Sequence, residues 1–174
     1  MAVSGADIAA YARTFVGSPY VWAGWEPSGW DCSGFVGYVL GKHFGMKLPG
    51  GFVWSGKVHP PVAAMYKTWT KANTVSVAQA GDLCCWITHI GIAIDDNRMV
   101  SALGRQWGTI VSPIASSGPP GEPLSIRRIN TLAAGADVVT SPRAGCTVGL
   151  IFLPYFIVKG VVLRVWNRGA EESR

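Results

Sequence analysis

The four cysteines and three histidines of this 174-residue chain offer the side-chain types that peptide-bond chemistry needs, and one of each stands in a promising place. Cys32 stands in the stretch DCSGFVGYVL, between Asp31 and the pair Ser33-Gly34, just before an apolar run. A thiolate can attack a carbonyl carbon, provided an imidazole takes the thiol proton and later returns it to the leaving amine. Asp31 is a good helix N-cap, which places the sulfur in a first turn where free amides and the macrodipole favour thiolate over thiol. The same amides, with the N–H of Cys32 itself, can form an oxyanion hole. A blander reading stays open on spacing alone. Cys32 also extends the apolar stripe of Phe35, Val36 and Val39, and packing accounts for it equally well.

The base has three candidates. His89 opens the alternating run HIGIAID directly after another strand and a turn, a position both rigid and accessible. Alone, such a histidine is more often a surface or satisfied core residue, and only the pairing with Cys32 favours a base. His43 falls late in the second helix and His59 in a Pro-flanked loop, so both are weaker candidates. The four cysteines Cys32, Cys84, Cys85 and Cys146 show no CxxC spacing, so a zinc site is not expected, nor any other metal or cofactor. Cys84 and Cys85 are neighbours in a strand-like run, which sends their side chains to opposite faces and argues against a disulfide between them.

The elements that must position these residues are legible in outline. Ser4 and Asp7 have capping-box spacing, and Ile8, Tyr11, Ala12 and Phe15 recur at helical period. Glycines and prolines then mark a loop through residue 30, and a second helix starts at Asp31 and ends near Gly41 to Gly45. Residues 46–62 read as loop, and AAMYKTWTKA as a short helix. From residue 82 the period becomes strand-like in DLCCWI, HIGIAID, MVSAL and GTIVSPI. After the loop SSGPPGEP, LSIRRI closes the sheet as its last strand. Helices first and a meander second predict an α+β fold with N-terminal helices packed on a mainly antiparallel sheet.

Composition narrows the partners. With 49% hydrophobic residues the chain can bury a core, and disorder is excluded for most of it. A net charge of +5 on scattered basic residues suits an anionic polymer, a cell wall as well as nucleic acid. Eight tryptophans fit a cleft that stacks on sugars or peptides, or equally a core filled with bulky rings.

Taken in order, PYVWAG, DCSGFVGYVL, LP and GDLCCWITHIGIAID resemble the NlpC-type peptidoglycan cysteine peptidases, over roughly residues 5–130. The resemblance implies a papain-like catalytic domain at 1–132 and the cleavage of an amide bond in peptidoglycan stem peptides through a thioester acyl-enzyme. The bond it implies is the link between D-glutamate and the diamino acid. By position, Cys32 would be the nucleophile and His89 the base, while Tyr20, Asp31 and Ser33 would contact substrate. For Asp31 the role of helix cap stands beside that of substrate contact, and for Tyr20 packing on the core is the lesser alternative. Asp82 of the GDL motif reads as a structural turn residue. The family's polar third residue, commonly histidine, falls here on Ser101. A serine hydroxyl can hold the imidazole tautomer but brings no charge, which leaves a backbone carbonyl or Gln106 as other orienting groups. Ala23 stands where the family often has glycine. The order of cysteine before histidine argues against the related lipid acyltransferases, in which the order is permuted. Bacterial peptidoglycan is therefore the expected partner, and nucleic acid is not. Two other readings of the same pattern are a wall-binding or structural module without turnover and a transamidase.

Residues 133–174 are expected to be an apolar extension used for anchoring or assembly. Reaching membrane-span length from Cys146–Val158 requires including Lys159, so membrane contact is less favoured than buried strands or an assembly contact. The N-terminal stretch lacks the basic and apolar regions of a secretory signal. These features together lead to the expectation of a phage tail-tip enzyme that opens the wall during infection, held to other virion proteins by 133–174, with a freely acting lysis enzyme as the alternative.

Overall fold

The computed structural model of the chain describes residues 3–54, 57–130 and 132. At the start, Asp7 donates its N–H to the Ser4 hydroxyl at 3.2 Å, and Ser4 donates its N–H to the Asp7 carboxylate at 2.9 Å. This closed capping box opens helix α1 (Gly5–Arg13), which buries Ile8, Ala9 and Ala12. The loop that follows holds the short pair β1 (Trp25–Glu26) and β2 (Gly29–Trp30). Helix α2 (Cys32–Gly37) starts at its Asp31 cap and continues as a π-helical segment, Tyr38–His43.

Two local expectations need correction. The stretch 46–62 is not all loop, because β3 (Phe52–Trp54) pairs antiparallel with β4 (Lys57–His59). The missed signal is the turn dipeptide Ser55-Gly56 between two short runs that contain valine. Helix α3 (Ala63–Lys67) takes only the first half of AAMYKTWTKA, and the chain then enters β5 (Ala72–Val75). What draws 72–75 out of the helical pattern is a long-range partner.

The sheet continues with β6 (Leu83–Cys85), β7 (Ile90–Ala93), β8 (Arg98–Gly104) and β9 (Gly108–Pro113), a meander as expected. After a 3₁₀ turn at Ile114–Ser116, β10 (Ser125–Ile129) does not take the outer edge. It inserts between β5 and β6, giving the antiparallel order β5-β10-β6-β7-β8-β9. The two arginines of LSIRRI explain why the insertion holds. Arg127 donates to the Thr74 hydroxyl and the Trp69 carbonyl, each at 2.6 Å, and also to the Ala72 carbonyl. Arg128 grips Asp82 at 3.0 and 2.7 Å. These basic groups are thus used inside the fold.

The sheet has an apolar layer on each face. Leu83, Cys85, Ile90, Ile92 and Val100 pack with Ile8, Phe35 and Val36 of the helices, while Cys84, Trp86, Ala93 and Met99 gather with Ile114 on the other side. Cys84 and Cys85 therefore point to opposite faces, as the alternation of a strand requires. The architecture is α+β, with the helices on a mainly antiparallel sheet. The extension 133–174, including Cys146, lies outside the described residues. Among the described residues no helix is long and apolar enough to cross a membrane.

Asp82 is the turn residue that its motif suggested. Its carboxylate, only 2% exposed, accepts from Arg128 and from the Gln79 N–H at 2.8 Å, and so locks the turn before β6 to β10. Replacing it with asparagine removes the charge that balances a half-exposed arginine. Asp82→Asn should cost about 2 kcal/mol in urea unfolding, the scale of a hydrogen-bonded ion pair at the edge of a core. An unchanged midpoint would show that Arg128 and Gln79 do not rely on it.

Candidate active site

The first turn of α2 is seated against the turn that joins β6 to β7. Asp31 Oδ1 accepts from the Gly34 N–H and from the Ser33 hydroxyl, both at 2.8 Å, while Oδ2 accepts from the Ala23 N–H at 3.1 Å. One carboxylate thus caps the helix and ties down the preceding loop. Gly34 makes the fit feasible, since a Cβ there would lie 2.0 Å from the Gly24 carbonyl oxygen. Ala23 pays for the same loop with a left-handed backbone, φ 59°, at the position where glycine was expected. The loop is anchored on its other side by Trp30, fully buried, whose indole N–H donates to the Thr109 hydroxyl at 2.8 Å.

This seating puts Cys32 against the backbone of the turn that carries His89. The thiol faces the Thr88 carbonyl at 3.9 Å, and the Ile90 amide is also directed at the sulfur. The backbone groups on either side of His89 therefore both meet Cys32. The turn itself is closed by the Trp86 N–H donating to the His89 carbonyl at 2.8 Å, and the Trp86 ring lies 5.7 Å from the imidazole.

The electrostatics differ from the sequence expectation. Amides of Cys32, Ser33 and Ile90 favour the thiolate, but they lose to burial, with the Asp31 carboxylate adding to it, and the thiol is pushed up to about 11. At 8% exposure Cys32 is nearly out of water. His89 is pushed down to about 4 by its own burial, against the opposing pull of Glu122. In the free protein both partners are neutral at pH 7. The activating effect of the helix terminus is real in sign but smaller than the desolvation.

Tyr20, Asp31, Cys32 and Ser33 all line one open cleft of about 450 Å³. Burial first, then the nearby Cys32 and Asp31, push the Tyr20 hydroxyl up to about 12, so it remains a proton donor. Ser101 is set apart from this cleft. The β7–β8 register places it opposite Gly91, diagonal to His89, and a Cβ on Gly91 would come within 3.0 Å of the Ser101 Cβ. His89 Nε2 and Ser101 Oγ are both buried, and neither has a hydrogen-bond partner among the described residues. A serine is too short to close that diagonal directly. Gln106 lies exposed in the β8–β9 turn. Among the described residues no cluster of His, Cys, Asp or Glu is arranged to hold a metal.

Other residues join the site without a sequence signal of comparable strength. His59 and Pro60, at the end of β4, form part of the cleft wall, with Trp22, 72% exposed, and Ile87 at its mouth. Glu122 accepts from the Ile87 and Thr88 amides at 2.7 and 2.9 Å and from the Thr88 hydroxyl at 2.6 Å. More than thirty positions separate it from that turn, and the loop SSGPPGEP has no periodicity to reveal it.

Comparison with known proteins adds an independent line. The profile of the NlpC/P60 family matches residues 17–127. Protein P54 of Enterococcus faecium is 37% identical over 105 residues, which are 58% of this chain and 18% of that protein. The probable peptidoglycan endopeptidase LytE of Bacillus subtilis strain 168 is 32% identical over 97 residues, 52% of this chain and 25% of that protein. The chain thus spans a quarter or less of the length of these relatives. Among solved structures, the NlpC/p60 domain of the peptidoglycan hydrolase SagA superposes with a TM-score of 0.55 at 29% identity, covering 71% of this chain and 98% of that one.

The depressed imidazole has a consequence for stability. His89 titrates at about 4 when folded and near 6.5 when unfolded, so between these values the unfolded chain binds the extra proton. Stability should therefore be lost as pH falls from about 6.5 to 4, by an amount on the order of 3 kcal/mol from this group. Urea unfolding of wild type and His89→Gln across that range checks it. The wild type should lose more stability on acidification than the variant, and parallel curves would contradict the burial argument.

Proposed function

This chain belongs to the NlpC/P60 family, and from that premise we propose that it is a cysteine peptidase that hydrolyses an amide bond in bacterial peptidoglycan stem peptides. The observation that carries the reading is the placement of the Cys32 sulfur at the floor of an open cleft, against the backbone on both sides of His89. In this mechanism the Cys32 proton passes to the neutral imidazole as the sulfur attacks the scissile carbonyl carbon. The carbonyl oxygen becomes an oxyanion held by the amides at the start of α2. Collapse breaks the C–N bond, His89 gives its proton to the departing amine, and a thioester remains on Cys32. Water, deprotonated by His89, then releases the acid and restores the thiol.

Two features support a stem peptide as substrate. The Asp31 carboxylate and Ser33 sit beside the nucleophile and suit a cationic amino end, while Tyr20 can donate to a peptide carbonyl. The apolar wall with Trp22 at its mouth suits a chain with short aliphatic side chains and an attached glycan. The link between D-glutamate and the diamino acid is the bond proposed to be cut.

Mass spectrometry of muropeptides after digestion of purified peptidoglycan tests the assignment. Wild type should release cut stem peptides and Cys32→Ala should release none, whereas equal product from both would overturn the nucleophile. In the same assay, Ser101→Ala should lower turnover less than tenfold, because no direct bond to the imidazole is removed. Ser101→His, long enough to reach across Gly91, should raise it. A product carrying an added amine would favour transamidation instead.

Attachment to a phage tail tip is a further part of the proposal, and it rests on the apolar run Leu150–Val158, outside the described residues, as an anchoring segment. Full-length chain should co-sediment with purified particles and residues 1–132 should not. A soluble full-length monomer absent from particles would favour the freely acting lysis enzyme.

A further inference from the structure

Two neighbours of the His89 turn, Gly118 and Glu122, come from one loop. Gly118 lies flat against Trp86, where a Cβ would come within 2.1 Å of the indole nitrogen. The Glu122 N–H donates to the Pro119 carbonyl at 3.3 Å, and the Lys67 ammonium donates to the Pro123 carbonyl at 2.6 Å. Between these anchors the Glu122 carboxylate takes three hydrogen bonds from Ile87 and Thr88, the two residues before His89. Thr88 also presents the carbonyl that faces the Cys32 sulfur. The loop therefore places a fixed anion directly behind the turn on which the proposed base is carried.

We propose that Glu122 is the positioning residue of this site, fixing the His89 turn against Cys32 and supplying the negative charge that balances the imidazolium, which the neutral Ser101 cannot supply. The inference rests on the reading of His89 as the base. The surrounding charges leave this task to Glu122. On α2 the titratable groups are Cys32 and its cap Asp31, whose oxygens are occupied by Ala23, Ser33 and Gly34 and whose charge opposes the thiolate. Tyr20 lines the cleft and feels the charge of Arg105, and on α3 Lys67 acts on Glu122 itself. Glu122 is the charged side chain among the described residues that favours protonated His89. When the thiol proton moves to the imidazole, the new cation forms in the field of an anion already held in place behind its turn, with no reorganisation required.

Glutamine at this position preserves the contacts and removes only the charge, since its carbonyl can accept both amides while its NH₂ donates to the Thr88 hydroxyl. The test is an NMR titration of the His89 imidazole, assigned by loss of its signal in His89→Ala, in wild type, Glu122→Gln and Glu122→Asp. Glu122→Gln should move the midpoint down by about 0.5 to 1 pH unit, with Glu122→Asp remaining close to wild type. On peptidoglycan fragments, Glu122→Gln should lower kcat about tenfold with KM within twofold, and its acid limb should shift the same way. An imidazole midpoint in Glu122→Gln equal to that of wild type would overturn the proposal, whatever the rate. If the variant does not fold, the wild type alone decides. Glu122 stands half-buried at the surface and within reach of solvent ions, so raising the salt to about 1 M should screen its charge and lower the midpoint, and a midpoint indifferent to salt would overturn the proposal. The titration reads the imidazole directly, so absence of peptidase activity would refute the function while leaving this inference to be judged separately.

Discussion

The contact between the first turn of α2 and the β6–β7 turn is the constraint on which the rest of the molecule depends. The sulfur, the Asp31 cap and the Thr88–Ile90 backbone must meet within a few ångströms, and each side is braced from elsewhere. On the helix side the braces are a cap that also holds Ala23, a glycine that lets two backbones touch, and the buried Trp30. On the sheet side they are the Trp86–His89 hydrogen bond and the Glu122 carboxylate. Ala23 keeps an unfavourable backbone conformation in this arrangement, a small strain tolerated because its N–H is held by Asp31.

Close seating has an electrostatic cost. Withdrawing the sulfur and the imidazole from water disfavours the charged forms of both, and the amides at the helix start offset only part of this. Two neutral partners are thus the resting arrangement, and the proposed proton transfer is coupled to attack on a bound carbonyl. Substrate would complete the exclusion of water from the cleft, and fixed groups already surround the place where charge develops. The same burial keeps Cys84 and Cys85 protonated and enclosed within the two apolar layers, which reserves thiol chemistry among the described residues for Cys32.

The position of β10 links the fold to the site. By entering between β5 and β6 it carries Arg128 onto Asp82, fixing the turn that leads into β6, and its preceding loop is carried across the β6–β7 turn with Glu122. A strand that merely closed the meander at its outer edge would have placed that loop far from His89.

Residues close in the chain determine what sequence alone can show, and here that was considerable. The capping box at Ser4 and Asp7, the Asp31 cap, the alternation that separates Cys84 from Cys85, and the meander from β6 to β9 all follow from side chains within a few positions of one another. The motif order around Cys32 and His89 pointed to the family because its members share those local patterns. Only the tertiary structure decided the neighbours of β10, the end of α3 at Lys67, and the entry of His59 and Glu122 into the site. It also reversed the expected ionisation of Cys32. The reason is the same in each case: sheet partners, burial and charge act through space, and a sequence records the helix end that favours a thiolate but not how much water the finished fold removes from it.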